Sequence, residues 1–138
     1  KRCKKHKLRV QLSENLILVK ADARLIVQVL VNLVDNAVKY TPKGSEILIE
    51  TRQEGTNAVV SVSDNGSGIS DEVKEYIFEM FYTGNSHAAD SRRSLGLGLA
   101  LCKSILHAHG GDIFVEDCQP HGARFTFTLP AKEVQLHE

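Results

Sequence analysis

Two rhythms of apolar and polar positions run along this chain. Leu8–Leu12 and Leu16–Val19 read as short strands separated by a polar turn at Ser13–Asn15. Asp22 then offers an N-cap, and Ile26, Leu30, Leu33 and Ala37 recur at steps of four, three and four, which predicts an amphipathic helix with one face on a core. Thr41, Pro42 and Gly44 stop it. Two β-rich runs follow, Glu46–Gln53 and Ala58–Ser63, with a hairpin turn at Glu54–Asn57. A short helix is predicted from Asp71 to about Phe78. Residues 83–95 are polar and without period, and read as a loop expected to move. A second long helix is expected over Leu97–His109, stopped by Gly110-Gly111. Asp112–Asp117 and Arg124–Leu129 close the chain as strands, the latter with Phe125, Phe127 and Leu129 alternating with threonines.

Mixed periods over 138 residues predict one α/β domain with its own core. Acidic and basic residues balance at 17 each, so no overall field directs the protein to nucleic acid or to an anionic membrane. The run Lys1, Arg2, Lys4, Lys5, Lys7, Arg9 breaks that balance locally and reads as a solvated end or linker. Three cysteines, Cys3, Cys102 and Cys118, without a C-x-x-C pair, suit neither a disulfide framework nor a thiolate metal site, and point to a reducing cytoplasm. No stretch reaches the roughly 20 apolar residues that span a bilayer.

The candidate chemistry lies on one helix and two glycine loops. At about 100° per residue, Asn32, Asn36 and Lys39 fall within about 60° of one another beside the apolar stripe. Asn is a poor interior helix residue, so two of them four apart suggest work for the amide oxygens, such as holding Mg²⁺ while the lysine faces phosphate. A solvated helix face is the plainer alternative. Asp64-Asn65-Gly66-Ser67-Gly68 puts a carboxylate at a strand end before two glycines that let the backbone approach a flat ligand. Such a carboxylate accepts from the exocyclic amine of adenine and opposes the carbonyl of guanine. Taken singly, an empty turn explains it as well. Gly96-Leu97-Gly98-Leu99 is placed at the start of the second long helix, where free N–H groups suit phosphate. Neither a Walker loop nor a dinucleotide fingerprint is present.

The order of these pieces resembles the catalytic domain of sensor histidine kinases, with the Bergerat ATP-binding fold. Asn32–Tyr40 looks like the N box, Asp64–Gly68 the first glycine box, Ile77–Tyr82 the F box and Gly96–Leu99 the second glycine box. His109-Gly110-Gly111 and Gly122–Pro130 match as well. The resemblance implies a two-layer sandwich, its mixed, mainly antiparallel sheet covered on one face by about three helices. It implies Mg²⁺ on Asn36, Lys39 facing phosphate, Asp64 on the adenine amine, and a base pocket shaped by Gly66, Gly68 and the adjoining Ile69. Tyr40 would pack on the nucleotide, the Gly96–Leu99 backbone would face phosphate, and residues 83–95 would form a lid. Asn32 and Asp35 complete the implied catalytic set, while Phe78 and Phe81 are expected to anchor the lid rather than touch ATP.

By the same resemblance, residues 8–131 form the ATP-binding unit, 1–7 lead from an upstream dimerisation and phosphoacceptor domain, and 132–138 are a tail. The phosphorylated histidine would sit on that other domain, on a helical hairpin that precedes the ATP-binding unit, with an acidic residue close behind it. None of the six histidines here has that context, since His6 precedes Lys7, His87 precedes Ala88, His107 and His109 flank Ala108, His121 precedes Gly122 and His137 is terminal. A response regulator is the implied downstream partner and a membrane-anchored sensor kinase the implied parent, with this portion monomeric, cytoplasmic and without direct membrane contact. Two departures stand out: Ser94-Leu95 before Gly96 where a further glycine is common, and Thr83 where relatives often carry an arginine, which would leave Lys39, Arg92 or Arg93 to supply the cation. The runs Phe81–Asn85 and Arg92–Leu99 look most like potassium-responsive KdpD-type sensor kinases of Gram-positive bacteria. The rival readings are an ATP hydrolase, a serine kinase of the same fold, and a degenerate nucleotide-binding interaction module. In hydrolases of this fold a glutamate at the start of the N box activates water. Asn32 stands there in this chain, and an amide takes no proton, which leaves Asp35 as the neighbouring carboxylate.

Overall fold

The computed structural model describes residues 6–13, 17–39, 41–74, 76–78 and 89–132, with backbone alone at 39, 89–97 and 132. The elements run β1 (Lys7–Gln11), β2 (Leu18–Val19), α1 (Ala23–Lys39), β3 (Glu46–Glu54), β4 (Asn57–Asp64), α2 (Asp71–Lys74), α3 (Ala89–Ala108), β5 (Asp112–Asp117) and β6 (Ala123–Lys132). They form one mixed, mainly antiparallel sheet in the order β1-β3-β4-β6-β2, with β5 also on β6. Only β1 runs parallel to its neighbour. The two short N-terminal strands therefore do not pair with each other: β1 takes one edge and β2 lies along the far side of β6.

Local chemistry sets the ends of the elements. Asp22 caps α1, its Oδ1 accepting from the Arg24 N–H at 3.0 Å. The β3–β4 hairpin turns over two residues, and Gly55 supplies the positive φ of 60° at the first. At the end of α3, Gly110 (φ 81°) donates its N–H to the His107 carbonyl and Gly111 donates to that of Leu106, the paired bonds of a Schellman motif. His109 then links the helices: its Nδ1 bonds the Ile105 carbonyl at 2.8 Å and its Nε2 accepts from the Asp22 N–H at 3.1 Å.

One face of the sheet packs under α1 and α3. Ile47, Ile49, Val62, Ile113, Phe125, Phe127 and Leu129 meet Val29, Leu33 and Ala37 of α1 and Leu99, Cys102, Ile105 and Leu106 of α3. The alternation of Phe125, Phe127 and Leu129 is realised as expected. On α1 the buried line is Val29-Leu33-Ala37, while Ile26 and Leu30 are only partly covered. Apolar side chains wrap more than half of this helix, so which line faces the sheet follows from where α3 lies.

Two boundaries differ from the sequence reading. α2 ends at Lys74, with residues 76–78 in a turn, although Ile77 still reaches the core. More consequentially, α3 starts at Ala89, not Leu97. Ala89–Ser94 has no apolar period to reveal a helix, but it has no proline or glycine to prevent one, and alanine and arginine favour it. Of the expected lid, 83–88 lie outside the described residues, as do the basic run at 1–5, Leu16, Tyr40, Glu79–Tyr82 with Phe81, and the tail at 133–138.

Candidate nucleotide site

The strands bring Asp64, the last residue of β4, beside the start of β6. There its Oδ1 accepts from the Gly66 N–H at 2.9 Å and from the Ala123 N–H at 3.3 Å. Two backbone donors on one oxygen fix the plane of the carboxylate and leave Oδ2 unengaged among the described residues. Asn65 points the other way, its Oδ1 accepting from the Glu46 N–H at 2.8 Å and tying the turn to β3.

The glycines here have steric reasons. A Cβ on Gly122 (φ 118°) would lie 2.0 Å from the Asp64 carbonyl oxygen. One on Gly68 (φ 87°) would lie 3.3 Å from the Gly122 carbonyl oxygen, and one on Gly66 would meet Thr41 Cγ2 at 2.7 Å. The chain thus passes itself backbone to backbone under the Asp64 carboxylate. Gly122 belongs to this turn as much as Gly66 and Gly68 do, although in the sequence it reads only as the entry to a strand. Ile69, next along, is half-buried against the core.

Three polar side chains hold the turn that local sequence does not reveal. Thr41, just past α1, donates to the Ala37 carbonyl at 2.6 Å and lies 3.0 Å from His6 Nε2. On the opposite side His121 Nδ1 is 2.9 Å from the Gly66 carbonyl oxygen. These pairings span 35 and 55 residues, so no window of sequence contains both partners.

On α1, Asn32 and Asn36 are both half-buried. Asn36 makes no hydrogen bond among the described residues. Asn32 is turned to α3, its Nδ2 donating to Cys102 Sγ at 3.7 Å, and a Cβ on Gly98 would lie 3.7 Å from that same Nδ2. Asn32 is therefore a helix–helix contact first. Burial pushes the Cys102 thiol pKa up, against smaller opposing effects led by the Asn32 hydrogen bond. Asp35 is half-buried and partnered. The side chain of Lys39 lies outside the described residues, as do those of Arg92, Arg93 and Ser94.

The second glycine segment departs from the sequence reading. Because α3 begins at Ala89, Gly96 and Gly98 sit inside the helix, not at its N-terminus, and interior N–H groups serve the helix itself. Leu97 is described in backbone only, and Leu99 is a core residue at 1% exposure, so its side chain faces the sheet. Phe78 packs edge-on against Phe125 with centroids 6.0 Å apart, while of the lid it is expected to anchor, residues 83–88 lie outside the described residues. Nearby, Lys74 joins α2 to the end of β5 through Asp117 at 2.6 Å, and its pKa is raised, chiefly by that bond.

The family described as histidine kinase-, DNA gyrase B-, and HSP90-like ATPase matches residues 21–133. The chain is 46% identical over 127 residues, 92% of its length, to the sensor protein KdpD of Clostridium acetobutylicum, of which it spans 14%. Its structure resembles the catalytic domain of the histidine kinase ThkA, with a TM-score of 0.76 at 35% identity, covering 91% of this chain and 78% of that one. ThkA has also been solved in complex with the response regulator protein TrrA; that match covers 92% of this chain and 34% of the kinase, with a TM-score of 0.73 at 34% identity. Full-length ShkA in complex with AMPPNP matches with a TM-score of 0.78 at 28% identity, over 95% of this chain and 27% of ShkA.

Proposed function

This chain belongs to the histidine kinase-, DNA gyrase B-, and HSP90-like ATPase family, and we propose that it binds Mg-ATP and donates the γ-phosphoryl group to a histidine on another domain of its parent sensor kinase. The observation that carries the reading is the Asp64 carboxylate, held by two backbone N–H groups with its second oxygen left for an exocyclic amine. The donor set also suits the nucleotide's metal. Asn36 offers a half-buried amide without a hydrogen bond among the described residues, and Mg²⁺ bound to phosphates needs few protein oxygens.

In this reading Asp64 selects adenine, and Gly66, Gly68 and Ile69 shape its pocket. Asn36 holds Mg²⁺, which neutralises phosphate charge, with Lys39 as a second cation and Tyr40 against the nucleotide. The Gly96–Leu99 backbone reaches phosphate only if the helix unwinds from its N-terminal side. Phosphoryl transfer depends chiefly on positioning and charge neutralisation, so the acceptor histidine can come from elsewhere. Asn32, an amide committed to α3, supplies no base for water, which disfavours the hydrolase alternative.

The KdpD identity, together with the Arg92–Leu99 run, supports a KdpD-type parent in which residues 8–131 are the catalytic unit and 1–7 lead from a phosphoacceptor domain. A response regulator as downstream partner has the ThkA–TrrA complex as its precedent. Among the described residues no helix is long and apolar enough to cross a membrane, so an anchor in the parent would lie elsewhere. Calorimetric titration of the chain and of Asp64→Asn with Mg-ADP and Mg-GDP tests the central reading. ADP alone should bind, and the variant should lose about a hundredfold in affinity, because its acceptor is replaced in part by a donor facing the amine. Equal binding of both nucleotides, or of neither, overturns it.

A further inference from the structure

The Asp64 turn is gripped from two sides, and the two histidines that grip it need opposite tautomers. At the Gly66 carbonyl only an acceptor is available, so His121 must carry its proton on Nδ1. At Thr41 the hydroxyl proton is already given to the Ala37 carbonyl at 2.6 Å. The Thr41 oxygen therefore accepts, and His6 must carry its proton on Nε2. His6 Nδ1 is then a buried acceptor without a partner among the described residues.

These two contacts converge on Gly66. Thr41 Cγ2 presses on its Cα side, where a Cβ would come within 2.7 Å, and His121 holds its carbonyl at 2.9 Å. The N–H of the same residue donates to Asp64 Oδ1. The N–H belongs to the 65–66 peptide and the carbonyl to the 66–67 peptide, so the Asp64 and His121 bonds pin the two planes on either side of the Gly66 Cα. Without the His121 bond the 66–67 peptide is free to turn, and the glycine whose N–H holds the carboxylate plane is less constrained.

We propose that His121 is a positioning residue for nucleotide recognition: its Nδ1–H fixes the Gly66 peptide against the Thr41 wall and thereby holds Asp64 oriented before any ligand arrives. The inference rests on the reading of Asp64 as the adenine acceptor. It follows from preorganisation, since a turn that must be ordered on binding lowers affinity by the cost of ordering it. The His121 ring is otherwise exposed, so its removal leaves the core intact.

The test uses this chain with Mg-ADP and Mg-GDP as probes and compares His121→Ala with His121→Asn, whose side-chain amide presents an N–H near the Nδ1 position. In the unaltered chain, imidazole ¹H–¹⁵N correlations in mildly alkaline buffer should show His121 as the Nδ1–H tautomer. His121→Ala should move the Ser67 amide resonance, which shares its peptide with the Gly66 carbonyl, and weaken Mg-ADP binding about fivefold without a matching fall in melting temperature. His121→Asn should restore both. An Nε2–H tautomer of His121, unchanged ADP affinity in His121→Ala, or failure of His121→Asn to restore it each overturns the proposal. If the unaltered chain binds ADP but these variants behave alike, only the role of His121 falls. If it binds neither nucleotide, the Asp64 reading falls first and this inference with it.

Discussion

The two ends of the candidate site are built differently. The turn at Asp64 is made of backbone: two N–H groups on one carboxylate oxygen, and glycines 66, 68 and 122 packed where a Cβ would clash or strain. The α1–α3 end is made of side chains on helices, with Asn36 unbonded among the described residues and Gly96 and Gly98 wound into α3. Backbone contacts of this kind exist only in the assembled sheet and hold one geometry. Side chains on a helix, and a glycine-bearing helical segment, leave room for rearrangement. On the proposed function, the end assigned to the base is thus formed in advance, while the end assigned to the phosphates is the part that must adapt.

Breaking the rigid end should have the largest effect. Gly122→Ala places a methyl 2.0 Å from the Asp64 carbonyl at a φ of 118°, and should destabilise the fold by more than about 3 kcal/mol in urea denaturation. Gly55→Ala, with open space around it at a φ of 60°, should cost only about 1 kcal/mol. Similar losses at both would mean that the crossing at Gly122 is not tight.

The adaptable end should respond in function before stability. Asn36→Ala should leave the melting temperature nearly unchanged but weaken ADP binding about tenfold in Mg²⁺ and little in EDTA, measured by titration in both. A loss independent of Mg²⁺ would take the metal from Asn36. Asn32→Ala should do the reverse, lowering stability by about 1 kcal/mol through the lost α1–α3 contact, with nucleotide affinity moved less than at Asn36.

The smallest effect lies far from both ends. The Asp112 carboxyl is held below the usual carboxylate range, first by the Ile113 N–H and then by His107. Its depressed folded-state pKa contributes stability above the unfolded value of about 4, and that stability is lost as pH falls through the folded value. Asp112→Asn should flatten the acid limb of stability against pH slightly and leave nucleotide binding untouched. Any shift in binding would show that β5 couples to the site.

Much of this was legible in sequence because its cause is local. Asp22 caps the residues that follow it, Gly110-Gly111 end a helix within one turn, and Phe125, Phe127 and Leu129 alternate because neighbouring strand residues face opposite ways. The start of α3 was not legible, since Ala89–Ser94 carries no apolar period in the sequence. Nor were His6, Thr41 and His121, whose partners are brought near only by the sheet.

The sequence by itself determined the element types, the α/β class, and Asp64 and Asn36 as the polar groups at a strand end and on a helix face, because propensity, capping and periodicity act over a few residues. Tertiary structure alone decided that β1 and β2 lie on opposite sides of the sheet, that Val29-Leu33-Ala37 is the buried line of α1, and that Asn32 faces Cys102. It also decided that Gly122 and His121 close on the Asp64 turn. Each of those depends on the burial of distant segments against one another, and that free energy appears only when the whole sheet is assembled.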